Sequence, residues 1–211
     1  MKIIVIGAGA MGCLYGAYLS KHNNVTMLDV YEPQVESINQ NGITVLEEDG
    51  TEQHFSNIRA MKSGTCKEVA DLVIVFVKST HTESSLEENK ELFGENTLVM
   101  TLQNGAGNDR KIAKYVKTEN IIIGTSKHNS VNLGGGKIRH SGNGVTTIGS
   151  NLEENVHLQT VADLLSEAGF QSAVSDDIQR IIWSKLFVNL SINTFTAITE
   201  TPIAYMIENQ Y

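Results

Sequence analysis

Lys2-Ile3-Ile4-Val5-Ile6 runs directly into Gly7-Ala8-Gly9-Ala10-Met11-Gly12, and Cys13–Lys21 follows with helical character. A G-x-G-x-x-G turn is a weak signal alone. Between an apolar strand and a helix it is specific, because each glycine has its own task. Gly7 permits the tight turn, Gly9 lets the backbone approach a pyrophosphate, and Gly12 lets helix pack on strand. The helix N-terminus adds unpaired N–H groups and partial positive charge for phosphates. Gly7, Ala8, Gly9, Ala10, Met11 and Gly12 are therefore the candidate cradle of a dinucleotide.

Further apolar runs of strand length follow at Val25–Leu28, Leu72–Val77, Thr97–Met100 and Asn120–Ile123. They are nearly continuous rather than alternating, as strands covered on both faces are, which favours a mainly parallel sheet. The expected fold class is α/β, a Rossmann-type doubly wound sheet. Ile43–Leu46 and His54–Ala60 flank Glu48-Asp49-Gly50 and predict a hairpin. A second hairpin is expected between Lys137–His140 and Val145–Ile148, across Gly142-Asn143-Gly144, after the glycine-rich Asn132–Gly136. Leu158–Ala168 has helical spacing, and Gln171–Val174 predicts the last strand of this domain.

The second strand closes on Asp29, 17 positions beyond Gly12. An acidic residue there suits the hydroxyls of an adenosine ribose. It would repel a 2′-phosphate, and positions 28–32 hold no arginine, so the local chemistry leans to NADH over NADPH. Lys78, just past the central strand, is a further cofactor-side candidate. Asn104, in Leu102-Gln103-Asn104-Gly105-Ala106-Gly107, follows another strand, and ligand crevices of doubly wound sheets lie beyond the carboxyl ends of strands.

After Ser175 the character changes. Asp176 and Asp177 supply a helix start, and Ile178 to about Ile198 contains neither proline nor glycine. Lys185, Asn189 and Asn193 stand at i, i+4 and i+8, so they line one side over roughly 12 Å. Trp183, Leu186, Phe187, Val188, Leu190 and Ile192 are expected to bury most of the remaining surface. An ammonium and two amides in such company suit a polar ligand in a cleft, with Lys185 as proton donor to a developing alkoxide. Thr201-Pro202 breaks the helix, and Ile203–Glu208 begins another. The expected division is 1–175 for the dinucleotide domain and 176–211 for the start of an all-helical second domain. Two such helices make no core alone, so the sequence reads as truncated, its free apolar side favouring a homodimer.

The 211 residues carry a net charge of −8, which argues against a general nucleic-acid binder. No stretch approaches the roughly 20 consecutive apolar residues of a membrane span. Cys13 and Cys66 show no metal or disulfide spacing and read as small core hydrophobes, which points to a reducing, cytoplasmic setting. The six histidines show no metal-type clustering, and no metal is expected. His128, after Gly124-Thr125, is placed near the crevice without a role.

Together these residues resemble the ketopantoate reductase (2-dehydropantoate 2-reductase) family. The matches are Gly7–Gly12, Val77-Lys78, Gln103-Asn104-Gly105-Ala106-Gly107, Gly124-Thr125, and Trp183-Ser184-Lys185-Leu186 through Asn189 and Asn193 to Thr196-Ala197. The resemblance implies NAD(P)H-dependent reduction of ketopantoate to D-pantoate, a small 2-keto acid reaction on the route to pantothenate and coenzyme A. It implies Lys185 as general acid, Asn104 at the active-site end of the cofactor, and Asn189 and Asn193 on substrate. This chain has Val30 where the family, which typically prefers NADPH, places an arginine. The family's helical domain also continues further and supplies a serine and a glutamate that no position here matches. Two other readings stay open. One is an NAD-dependent D-2-hydroxyacid dehydrogenase of the mandelate type, or a 3-hydroxyacid dehydrogenase. The other is a truncated, catalytically dead dinucleotide-binding protein.

Overall fold

A computed structural model describes residues 1–202, 204 and 205. The helix expected at Ile203–Glu208 falls mainly outside the described residues. The chain opens as β1 (Lys2–Ile6), α1 (Ala10–Leu19), β2 (Asn24–Asp29) and α2 (Glu32–Asn41). Then come β3 (Ile43–Leu46), β4 (Glu52–Phe55), β5 (Arg59–Lys62), β6 (Leu72–Val75), α3 (Thr82–Glu88), β7 (Leu98–Thr101) and α4 (Asn108–Ile112). The remainder is β8 (Ile121–Ser126), β9 (Asn129–Gly134), β10 (Lys137–Gly142), β11 (Thr146–Gly149), α5 (Leu158–Ala168), β12 (Ser172–Val174) and α6 (Ile178–Thr199).

Eight strands form one sheet in the order β12-β11-β8-β7-β6-β1-β2-β5. All neighbours are parallel except β11 against β8. The continuous apolar runs explain themselves by their two faces. Ile3 and Val5 enter the same core as Leu72, Ile74 and Met100, together with α1 and α5. Ile4 and Ile6 point the other way, to Val73, Val75, Val99, Leu86 of α3 and Ile112 of α4. Side chains alternate across a strand, so an element covered on both sides must be apolar at every position.

The first expected hairpin forms with a shorter second arm, and the second is corrected. Ile43–Leu46 does pair antiparallel with a neighbour, but the partner stops at Phe55, and Arg59–Lys62 becomes a separate edge strand beside β2. The second hairpin forms one element earlier. β10 turns back on β9 through Gly134, Gly135 and Gly136, all at positive φ (86°, 59° and 73°), a run of left-handed backbone that glycine alone adopts freely. Thr146–Gly149, the supposed second arm, instead joins the main sheet against β8. β3 and β10 lie parallel and join the two hairpins into a small sheet, β4-β3-β10-β9.

α6 starts as expected, with Asp177 at its N-cap accepting the Arg180 N–H at 3.2 Å. Its burial departs from expectation. Ile178 and Ile182 enter the core, but Trp183 (48% exposed), Phe187 (62%), Val188 (55%) and Leu190 (55%) stand in solvent. The reason is local: among the described elements β8 and β11 supply most of the cover, and the loops around Asp109 and Asn151 meet only the first turns, so that cover lasts about two turns. Its 22 residues, with a mean hydropathy of 1.2 over the most apolar window, are by length and composition enough to cross a bilayer. That corrects the expectation that no stretch approaches such a span, although Arg180 and Lys185 interrupt the helix.

Candidate active site

The glycine turn lies at the carboxyl end of β1, where the strand order changes direction in sequence. A methyl group on Gly12 would sit 1.9 Å from the carbonyl oxygen of Gly7, so this position has no room for a side chain. A methyl on Gly9 would meet nothing within 4 Å. Packing thus excludes a side chain at Gly12, whereas Gly9 faces open space. The first helical bond runs from the Cys13 N–H to the Gly9 carbonyl at 2.8 Å, which leaves the amides of Ala10, Met11 and Gly12 without helical acceptors. The Gly7 N–H is committed to the Leu28 carbonyl.

Asp29 ends β2 beside this turn. Its Oδ2 accepts the Ala8 N–H at 2.6 Å and its Oδ1 accepts the Tyr31 N–H at 2.9 Å. The carboxylate therefore shapes the turn as well as facing the cavity, and a carboxylate retains acceptor sites beyond two bonds. Cys13 supports the same turn from below, its thiol donating to the Ala8 carbonyl at 3.2 Å while burial pushes its pKa up to about 12. Cys13 and Cys66 are free and buried.

A cavity of about 300 Å³ opens here, lined by Gly7, Gly9, Asp29, Lys78, Ser63 and Glu88 among others. The expected cofactor residues Gly7, Gly9, Asp29 and Lys78 meet in it. Ala8 is buried behind them, and Met11 packs onto the core. The open face at Gly9, the free amides of α1 and the acceptors of Asp29 suit a dinucleotide's phosphates and ribose.

Lys185 lines a different cavity, of about 640 Å³, with Thr125, Ser126, Ser175, Asp177 and Arg180. Its Nζ donates to the Ser126 carbonyl at 2.7 Å, and burial holds its pKa below the ordinary lysine value. Two of its three ammonium donors remain for a ligand. Ser126 itself is buried, and its hydroxyl accepts the Tyr15 O–H at 3.0 Å and the His128 N–H at 3.1 Å. The structure does not gather the three asparagines with Lys185. Asn104 and Asn193 are exposed, Asn189 is half-buried, and none of them lines either cavity.

Two groups escaped the sequence reading. Gln103 ties the ends of β6 and β7 together: its Nε2 donates to the Val77 carbonyl at 2.5 Å and to Thr82 Oγ1 at 3.0 Å, and its Oε1 accepts Thr101 Oγ1–H at 2.9 Å. It fixes the two segments that carry Lys78 and Asn104. Its place in the motif beside Asn104 was the available signal. The other is a buried chain in which Glu47 accepts from His140 Nδ1 at 2.8 Å and His140 Nε2 meets His128 Nδ1 at 3.0 Å. His128 is buried in this chain, so it does not reach the crevice as expected. Its Nε2 has no partner among the described residues, and burial lowers its pKa to about 4.

The model of the ketopantoate reductase PanE/ApbA family matches residues 3–153. A 2-dehydropantoate 2-reductase of Halobacterium salinarum is 32% identical over 211 residues, covering 99% of this chain and 69% of the relative. The Lactococcus lactis enzyme of that name is 32% identical over 214 residues, covering the whole chain and 68% of its own length. Among solved structures, the Geobacter metallireducens 2-dehydropantoate 2-reductase superposes with a TM-score of 0.91 at 27% identity, over 100% of this chain and 69% of that one. D-mandelate dehydrogenase with NADH and anilino(oxo)acetate gives 0.88 at 29% identity, over 95% of this chain and 65% of that one. This chain spans about two thirds of these proteins. With the glycine turn, the Gln103-Asn104-Gly105 loop and the Lys185 helix in the family's order, it belongs to the ketopantoate reductase family.

Proposed function

We propose that the chain is a 2-dehydropantoate 2-reductase, reducing the keto group of ketopantoate to give D-pantoate with a nicotinamide cofactor. The observation that carries this is Lys185, a half-buried ammonium held by the Ser126 carbonyl at the rim of a large cavity, in a chain whose relatives bear that name. When bound, the reduced nicotinamide supplies the hydride. Lys185 then does what a positioned cation can do: stabilise the negative charge growing on the keto oxygen and place a proton there from Nζ. The family resemblance, rather than the lining of either cavity, is what assigns Asn104, Asn189 and Asn193 as uncharged amide donors to cofactor and substrate.

Asp29 with Val30 favours NADH over NADPH. Val30 lines the cavity beside Asp29, 70% exposed, and its apolar side chain offers no cation to a 2′-phosphate. That cofactor choice is also what favours the second reading, a mandelate-type 2-hydroxyacid dehydrogenase, since a structure of that enzyme holds NADH. The exposed side of α6 suits a homodimer, and two free buried thiols suit a reducing compartment such as the cytoplasm. We divide the chain into a dinucleotide domain to about residue 175 and a helical part from 176.

Steady-state oxidation of NADH and of NADPH, each with ketopantoate and with a phenyl-substituted 2-keto acid, tests the reading. Turnover of ketopantoate supports it, and turnover of the phenyl acid alone moves the chain to the mandelate type. Cofactor binding without turnover of either acid leaves a non-catalytic dinucleotide binder and refutes the reductase.

A further inference from the structure

Glu88, the last residue of α3, lines the dinucleotide cavity next to Ser63, whose backbone N–H donates to the Asp29 carbonyl at 2.9 Å. Its Oε2 accepts the Ser63 O–H at 2.8 Å, and its Oε1 has no donor among the described residues. The neighbouring hydroxyl protons are all committed. Ser85 Oγ donates to the Thr82 carbonyl at 2.9 Å, and Ser84 Oγ donates to the His81 carbonyl at 3.1 Å. Ser63 Oγ, having given its proton to Glu88, accepts from Asn89 Nδ2 at 2.7 Å. What this end offers a ligand is therefore acceptors and a negative charge. The cavity's cationic candidates, Lys78 and His81, sit at the other end of α3, about 10 Å from Glu88 along a seven-residue helix.

The acceptor is also held in place. Buried Asn89 takes the Gly64 N–H on its Oδ1 at 2.9 Å, clamping the loop after β5 to the end of α3. Gly64 leaves the room that Glu88 occupies, since a methyl there would stand 2.9 Å from Glu88 Cγ. With phosphates at the α1 amides and a ribose at Asp29, connectivity sends the base away from the glycine turn, towards Glu88. We propose that Glu88 is a specificity residue that accepts the exocyclic amine of the adenine base. The proposal rests on the dinucleotide part of the reading above and is independent of the keto acid reduced.

An acceptor-only wall discriminates by chemistry. Adenine presents an N–H₂ donor at its 6-position, whereas a 6-oxo purine presents an acceptor, which would face the carboxylate unpaired. The test is fluorescence titration of the full chain with NADH and with reduced nicotinamide hypoxanthine dinucleotide, in wild type, Glu88→Gln and Glu88→Ala. Wild type should bind NADH at least tenfold more tightly than the hypoxanthine analogue. Glu88→Gln keeps an oxygen for Ser63 and can turn its amide N–H₂ towards the 6-oxo group, so the two affinities should come within about threefold. Glu88→Ala should narrow the gap by weakening NADH. Equal affinities in wild type, or a preference that survives in both variants, would overturn the proposal. Failure of wild type to bind NADH at all would remove the dinucleotide reading, and Glu88's role with it.

Discussion

Two glycines of one motif should fail in different ways when each gains a methyl group. In Gly12→Ala the new Cβ lies 1.9 Å from the Gly7 carbonyl oxygen and 3.0 Å from its carbon, so backbone must move by more than an ångström. Overpacking of this kind costs about 1–3 kcal/mol, and a rigid backbone neighbour puts the cost at the upper end. Alanine's better helix propensity returns up to about 1 kcal/mol. A net loss of about 2 kcal/mol corresponds to a melting point lowered by about 4–8 °C in a chain of this size. In Gly9→Ala the methyl meets no protein atom within 4 Å, and the residue's φ of −75° suits alanine. The cost of a poorer N-cap is about balanced by the entropy removed from the unfolded chain, so the melting point should stay within about 2 °C. The same methyl occupies the space of close backbone approach and should weaken NADH at least tenfold, about 1.4 kcal/mol. Circular dichroism melts and NADH fluorescence titrations separate the two effects. Gly9→Ala binding NADH as well as wild type would refute the assignment of the turn to a dinucleotide, and an unshifted melt for Gly12→Ala would refute the packing argument.

Lys185→Ala should reduce kcat by about 10²–10⁴-fold while NADH still binds, since proton donation is worth that much; an unchanged kcat would remove Lys185 from the acid role. Because burial lowers its pKa, the reductive rate should fall as pH rises through a value below that of a free lysine, and a rate flat to pH 11 would contradict this. Val30→Arg should raise the NADPH-to-NADH affinity ratio at least tenfold; it is the cleaner probe than Asp29→Ala, which also strips the acceptor from the Ala8 and Tyr31 amides. His128 stays neutral in the fold down to about pH 4, while the unfolded chain protonates it near 6.5. Its contribution is thus fully present above pH 6.5 and is lost as pH falls towards 4. Urea titrations should show that slope, and a His128→Gln variant retaining all of it would assign it elsewhere. Finally, the exposed Trp183, Phe187, Leu190 and Ile198 should drive association at micromolar concentrations. Sedimentation showing a strict monomer, or no change on Phe187→Glu, would refute a role for this face.

The main sheet was legible because its signal is local. Ile3 to Ile6, Leu72 to Val75 and Ile121 to Ile123 are apolar at every position, and only two-sided cover asks for that. The small sheet was not legible, because its decisive pairing joins Thr44–Leu46 to Lys137–Arg139 across some ninety residues. Turn residues compete as well. Gly142-Asn143-Gly144 and Gly134-Gly135-Gly136 are equally good turn chemistry in the sequence. The choice between them was made by β8, which offered Thr146–Gly149 an open edge in the main sheet. Strand ends are soft for a similar reason: Phe76 still donates to Ile6 after β6 has formally ended.

For the candidate site, spacing carried as far as direction and no further. Lys185, Asn189 and Asn193 do follow one another along one side of α6, but cover declines along the helix, from buried Ile182 to half-buried Lys185 and Asn189 to exposed Asn193. The apolar neighbours predict a buried surround, yet apolar composition states only that a face lowers its free energy by leaving water. It does not say which element provides the cover. The glycine turn suffers from no such gap, because the atoms that constrain it, Gly7, Asp29 and the first turn of α1, are its own neighbours in chain and sheet. Asp29 shows the limit even there. Its position predicted a ribose ligand, and the structure adds that the same carboxylate holds the Ala8 amide. A substitution at Asp29 would therefore change the shape of the turn and the charge of the cavity together. Selectivity at this site has to be probed from Val30 and Glu88, whose side chains face the cavity without bracing the turn.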